Sequence, residues 1–156
     1  MTEIYNMPGN LIRRLNQISL SIFQDETKAA GLELTSVQFA VLAALAEHNG
    51  VDQATVAGMI AYDRPTTGSV IDRLESRDHI RRETNPTDRR ARLVWITEHG
   101  TEVLNRALPV VRDLQASILT GLSEDEKATF IALAAKVAEA GNDLSRAPLI
   151  LPKTSG

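Results

Sequence analysis

With 156 residues, 43% of them apolar and 24% charged, the chain has the size and balance of a globular domain, and it has no cysteine for disulfides, thiolate metal sites or a sulfur nucleophile. No apolar run approaches the ~20 residues that cross a bilayer, and Met1 to Tyr5 lacks the basic and apolar opening of a secretory signal, so a cytoplasmic protein with no membrane contact is expected. The net charge of −3 argues against indiscriminate nucleic-acid binding, but residues 64–92 hold eight arginines against five acids, or +3, leaving nine basic and fifteen acidic residues, or −6, elsewhere.

In chain order, Pro8 suits the first turn of a helix, and Leu11, Ile12, Leu15, Ile18, Ile22 and Phe23 continue it as one stripe to about Ala30. Thr35 and Gln38 have the spacing of a capping box, opening a second helix whose buried face is Val37, Ala40, Val41, Ala44 and Leu45 and which ends at Asn49-Gly50. A short third helix starts at Asp52 and buries Val56, Met59 and Ile60. Asp63 and Pro65 start a fourth, which runs to about Asp78 with Val70, Ile71 and Leu74 inward. Ile80–Thr84 and Arg92–Ile96 then read as a two-stranded hairpin with a long tip. Thr97 caps a long helix to about Thr120, in which Pro109 predicts a bend or break. Ser123 and Glu126 form a second capping box, for a helix to about Leu144, and the segment from Ala147 reads as a loose tail.

Three helices followed by a hairpin describe a winged helix-turn-helix. In that arrangement the second helix of the turn enters the major groove and the hairpin tip reaches the neighbouring backbone or minor groove. The arginines fall on those two elements: Arg64, Arg73 and Arg77 on the fourth helix, and Arg89, Arg90 and Arg92 on the hairpin. Four segments follow: an N-terminal dimerisation helix (1–34), a DNA-binding lobe (35–97), C-terminal dimerisation helices (98–146) and the tail (147–156). The fold class is mainly α.

Several stretches fit a known pattern. They are Val70-Ile71-Asp72-Arg73-Leu74-Glu75, Ile80-x-Arg82, Asp88-Arg89-Arg90-Ala91, and Leu93-Val94-x-Ile96-Thr97-x-x-Gly100, with a weaker match at Thr35-x-x-Gln38-x-x-Val41-Leu42. In these the chain resembles the MarR family of bacterial transcriptional regulators, from Leu11 to about Leu144. The resemblance implies an interlocked homodimer on a pseudo-palindromic double-stranded operator, with repression the expected mode, and release by a small aromatic acid or phenolic effector. The apolar stripes of the terminal helices, too extensive for a three-helix module to cover, ask for such a partner independently. Two positions depart from the family pattern. Asp78-His79 replaces Gly-Leu before the first strand; Asp tolerates a left-handed backbone at some cost, and His79 is either a packing residue or a ligand- or pH-responsive one.

On the recognition helix Thr66, Thr67, Ser69 and Arg73 are expected to point away from the core, with the two threonines alternatively serving only as caps. Arg64 and Arg77 read as phosphate clamps at its ends. The resemblance places Arg90 in the minor groove, with Asp88 shaping the loop and Arg89 and Arg92 on phosphates. For the effector, Arg13 or Arg14, with Gln17 and Gln38 as hydrogen-bonding partners, is expected at the crevice between the first helix and the DNA-binding lobe. The competing account is an inter-subunit or surface salt bridge from these arginines to an acid such as Glu98 or Glu102. His48, His79 and His99 lack metal-ligand spacing, and the sequence has neither a Gly-rich phosphate loop nor a Gly-x-Ser-x-Gly elbow, so no catalysis, metal or cofactor is expected. The alternative function is a winged-helix module that docks another protein without operator DNA.

Overall fold

The computed structural model describes residues 2–154; the extreme ends of the first and last expected segments, Met1 and residues 155–156, lie outside the described residues. The helices are α1 (Pro8–Ala29), α2 (Ser36–Glu47), α3 (Gln53–Met59), α4 (Arg64–Ser76), α5 (Glu98–Ile118) and α6 (Glu124–Ala140). The strands are β1 (Val51–Asp52), β2 (Ile80–Thr84) and β3 (Arg92–Ile96). The helix starts follow local chemistry. Thr35 and Ser123 close the two capping boxes, while Asp52, Asp63 and Thr97 each accept a backbone N–H three residues on.

The hairpin forms over the two expected stretches, and its register runs from Ile80 opposite Ile96 to Thr84 opposite Arg92. The sheet nevertheless has a third strand, because β1 pairs with the other side of β3 to give the order β1-β3-β2. Two residues carry no periodicity of their own, so only the partner strand makes Val51–Asp52 a strand. The core lies where α2, α3, α4, the sheet and α5 converge, with Leu42, Leu45, Ile71, Leu74, Ile80 and Val94 fully enclosed. Leu42 joins the expected Val41 and Leu45 because α2 is surrounded by α1, α3, α4, α5 and β3.

Three expectations for the C-terminal half differ from the structure. α5 runs unbroken through Pro109; one missing backbone donor is tolerated in a helix held along its length by α1 and α2. The helix expected to reach Leu144 ends at Ala140, and a short 3-10 turn spans Asn142–Leu144. The tail, expected to be loose, is bonded at its start. The Asn142 side chain accepts from Leu149 N–H at 2.8 Å and donates to Leu149 C=O at 3.0 Å, while Ile150 N–H donates to Gly58 C=O at 2.9 Å. Gly58 makes this docking possible, since a Cβ there would lie 3.2 Å from Ile150.

The terminal helices are the least covered part of the chain. Every residue of α6 is exposed or half-buried, including Phe130, Ile131, Leu133 and Val137, and on α1 only Phe23 and Thr27 are buried. Among the described residues no helix is long and apolar enough to cross a membrane.

Candidate nucleic-acid interface and adjoining crevice

The recognition helix α4 starts on Asp63, whose carboxylate accepts from Thr66 N–H at 2.9 Å. That bond holds the Asp63 carboxyl below its ordinary pKa, so the cap stays charged. Arg64, Thr66, Ser69 and Arg73 are exposed on this helix. Thr67 is not. It is 1% exposed and its hydroxyl donates to Asp63 C=O at 2.8 Å, so the expected outward direction is corrected. The reason is helical geometry: Thr67 lies four residues before Ile71 and seven before Leu74, on the buried stripe.

At the wing, Asp88 accepts from the Arg90 backbone N–H at 3.0 Å, and Ala91 N–H donates to Asp88 C=O at 3.1 Å. Asp88 thus shapes the tip, as expected, through the backbone of Arg90 and not through its guanidinium. Arg89, Arg90 and Arg92 are exposed. Among the described residues, Arg64, Arg73, Arg89, Arg90 and Arg92 have no carboxylate within ion-pair distance. These five cations are available to a polyanion.

The other three arginines of the basic window are committed within the chain. Arg81 pairs with Glu83 and lies 5.1 Å above the Trp95 ring. Arg82 ties α4, β2 and α3 together: it pairs with Asp72 at 2.7 Å and Glu75 at 2.8 Å, and donates to the Gln53 side chain at 2.9 Å. The guanidinium depresses the Glu75 pKa, and Glu75 raises that of Arg82. Arg77 donates to Glu33 C=O at 2.8 Å, with the Glu33 carboxylate 3.9 Å away. The structure therefore turns Arg77, expected as a phosphate clamp, toward the α1–α2 loop.

Behind the recognition helix, α1, α2 and α4 border a half-open crevice of about 880 Å³. Phe23, Leu32 and Val70 supply apolar wall, while Gln38, Arg73 and Arg77 supply polar groups. Of the expected ligand residues only Gln38 borders it. It is 6% exposed, and its side-chain oxygen accepts from Thr35 N–H at 3.1 Å within the capping box. Arg13, Arg14 and Gln17 are exposed and outside the crevice, and Arg13 donates to Asn10 on its own helix at 3.0 Å. The crevice is bordered from Leu20 onward, and at 1.5 Å rise per residue Arg13 stands roughly 10 Å short of it along α1. Within this chain, Arg73 and Arg77 are the guanidinium groups that border the crevice. Within the chain, and among the described residues, Arg13 and Arg14 make no ion pair with Glu98 or Glu102, and Glu102 faces His99 at 3.8 Å.

The junction between the winged lobe and α5 is tight. Asp78 takes the left-handed backbone (φ 61°) expected of a residue in place of glycine. His79 is 7% exposed, its ring 4.9 Å from that of His99, and its Nδ1 has no hydrogen-bond partner among the described residues. Burial, then the charges of His99 and Arg77, push its pKa below the usual 6.5, partly opposed by Asp78. Gly100 lets α5 approach: a Cβ there would fall 2.0 Å from the His79 carbonyl oxygen.

Comparison with known proteins bears on this surface and crevice. The model described as the MarR family matches residues 34–91. The HTH-type transcriptional repressor NicR of Pseudomonas putida is 30% identical over 135 residues, covering 86% of this chain and 84% of that protein. The structure of Bordetella bronchiseptica BpsR, described for regulation of its DNA binding by 6-hydroxynicotinic acid, superposes with a TM-score of 0.77 at 31% identity, covering 83% of this chain and 97% of that one. The PcaV transcriptional regulator of Streptomyces coelicolor, in complex with its natural ligand, superposes with a TM-score of 0.79 at 33% identity, covering 89% of this chain and 96% of that one.

Proposed function

From a chain that belongs to the MarR family of transcriptional regulators, we propose a non-catalytic, dimeric cytoplasmic repressor that binds a pseudo-palindromic operator and leaves it when a small aromatic acid occupies the crevice. The observation that carries the DNA-binding part is the sorting of the arginines. Of the eight in the basic window, five have no ion pair among the described residues, and all five lie on the recognition helix and wing. Arg64 and Arg73 serve phosphates and base edges beside Thr66 and Ser69. Arg90 enters the minor groove from a tip that Asp88 holds, and Arg89 and Arg92 contact phosphates. Two-fold symmetry puts the half-sites about one helical turn, roughly 34 Å, apart.

The crevice chemistry supports the effector class. Apolar walls suit a ring, and the Arg73 and Arg77 guanidinium groups suit its carboxylate. NicR and BpsR, the one a repressor and the other regulated by a pyridine carboxylic acid, favour the same reading. Thr66, Ser69, Arg73 and Arg77 are shared between crevice and recognition helix, so an occupant touches the element that reads DNA. Release requires tighter binding to the DNA-incompetent dimer than to the competent one.

The test uses duplexes selected from a random-sequence pool by the protein itself, with affinity followed from low to physiological salt. The expected log–log slope is roughly −0.9 per phosphate neutralised. A slope near zero, or failure to enrich any duplex, favours the protein-docking module instead. A panel of benzoate and pyridine-carboxylate acids is then titrated against the complex. At least one acid is expected to release DNA, and Arg77→Lys to raise the concentration needed.

A further inference from the structure

The Arg82 side chain is only 13% exposed, yet each of its three nitrogens is engaged. Nε and Nη2 donate to Glu75 at 3.2 and 2.8 Å, Nη2 also meets Asp72, and Nη1 donates to Gln53 Oε1 at 2.9 Å. A guanidinium offers donors only, so it dictates the orientation of the Gln53 amide: oxygen toward Arg82, nitrogen away. That nitrogen, Nε2, is turned to the flank of the recognition helix, 3.9 Å from where a Cβ would stand at Gly68. Gly68 has no side chain to cover it, and exposed Ser69 and Asp72 follow on the same helix.

We propose that Gln53 is a further DNA-contacting residue, its amide N–H₂ a fixed donor to a backbone phosphate beside the recognition helix, and that Arg82 is the positioning residue that aims it. The inference rests on the DNA-binding reading above. Arg82 has a second effect in the same place. Asp72 and Glu75 are carboxylates on the recognition helix that repel phosphate when uncompensated, and both are compensated by this one guanidinium. Neutral side-chain donors are ordinary phosphate ligands, and they fix register without adding to the counterions released.

The experiment measures affinity for a selected duplex, its salt slope and the thermal midpoint, for the full-length wild type and four variants. Gln53→Met removes the donor without adding charge. It is expected to lose roughly tenfold in affinity per half-site, with the salt slope unchanged. Gln53→Glu keeps an acceptor for Arg82, and so keeps or raises the thermal midpoint, yet binds DNA more weakly than Gln53→Met; a purely structural Gln53 gives the opposite result. Arg82→Lys retains charge but cannot hold three partners. In the double variant Arg82→Lys/Gln53→Met, the added cost of losing the amide is expected to shrink to within twofold, because Arg82 acts through it. Full additivity in this cycle overturns the positioning role. If both single Gln53 variants bind within twofold of a DNA-binding wild type, the contact itself is overturned. A wild type that enriches no duplex fails the DNA-binding reading, and this inference with it.

Discussion

At the residue scale, the surface sorts side chains of one type into different roles by what stands beside them. Arg90 and Arg82 are eight positions apart. Arg90 is exposed with no carboxylate at hand among the described residues, while Arg82 is enclosed by two. Arg90→Ala is therefore expected to weaken operator binding by roughly 1–3 kcal/mol per half-site and to lower the salt slope by about one for each phosphate lost. Its thermal midpoint should stay at the wild-type value, which calorimetry checks alongside anisotropy. His79 makes a different prediction. Its pKa is depressed in the folded chain, so the unfolded chain takes up the proton first as pH falls. The stability His79 contributes is complete above its usual 6.5 and is lost as pH drops from there toward the folded value. Thermal midpoints measured from pH 8 to pH 5 should fall less steeply in His79→Leu than in wild type. Equal slopes in the two proteins would show that His79 does not couple folding to pH.

At the element scale, helix starts are local devices, whereas helix neighbours are not. Each cap joins residues three apart, so Thr35–Gln38 and Ser123–Glu126 could be read directly from the chain. The tail is the contrary case: its anchor on Gly58 spans more than ninety positions and has no sequence periodicity. Gly58→Val places side-chain atoms where Ile150 now sits, and Asn142→Ala removes both bonds to Leu149. Either change is expected to free the tail and speed tryptic cleavage after exposed Arg146, read by mass spectrometry. An unchanged cleavage rate in both variants would mean the docking adds no protection.

At the scale of the whole molecule, α1 and α6 present apolar faces that one chain leaves uncovered. Burying a Leu or Val is worth roughly 1.5–3 kcal/mol, and a two-fold interface repeats each contact. Leu133→Glu combined with Val137→Glu, one turn apart on α6, is expected to shift sedimentation from dimer to monomer and to abolish operator binding with it. The wing and recognition helix are untouched by those changes. A dimer that persists would move the interface off α6. The same architecture explains why crevice and DNA surface are linked: α4 is a wall of one and the centre of the other.

The sequence by itself determined the helices, their caps, the two hairpin strands and the concentration of arginine on two elements. These follow from interactions between near neighbours and from periodicity, and they were sufficient for the family resemblance as well. Tertiary structure decided which arginines of the basic window are free. Arg77 is drawn to Glu33 and Arg82 to Asp72, Glu75 and Gln53, partners that lie up to 44 positions away. It also decided that Thr67 is packed, that Val51–Asp52 is a strand, and that Arg73 and Arg77 border the crevice. A charge or a hydroxyl has the same appearance in sequence whether it meets solvent or a neighbour, and only the approach of distant elements chooses between them.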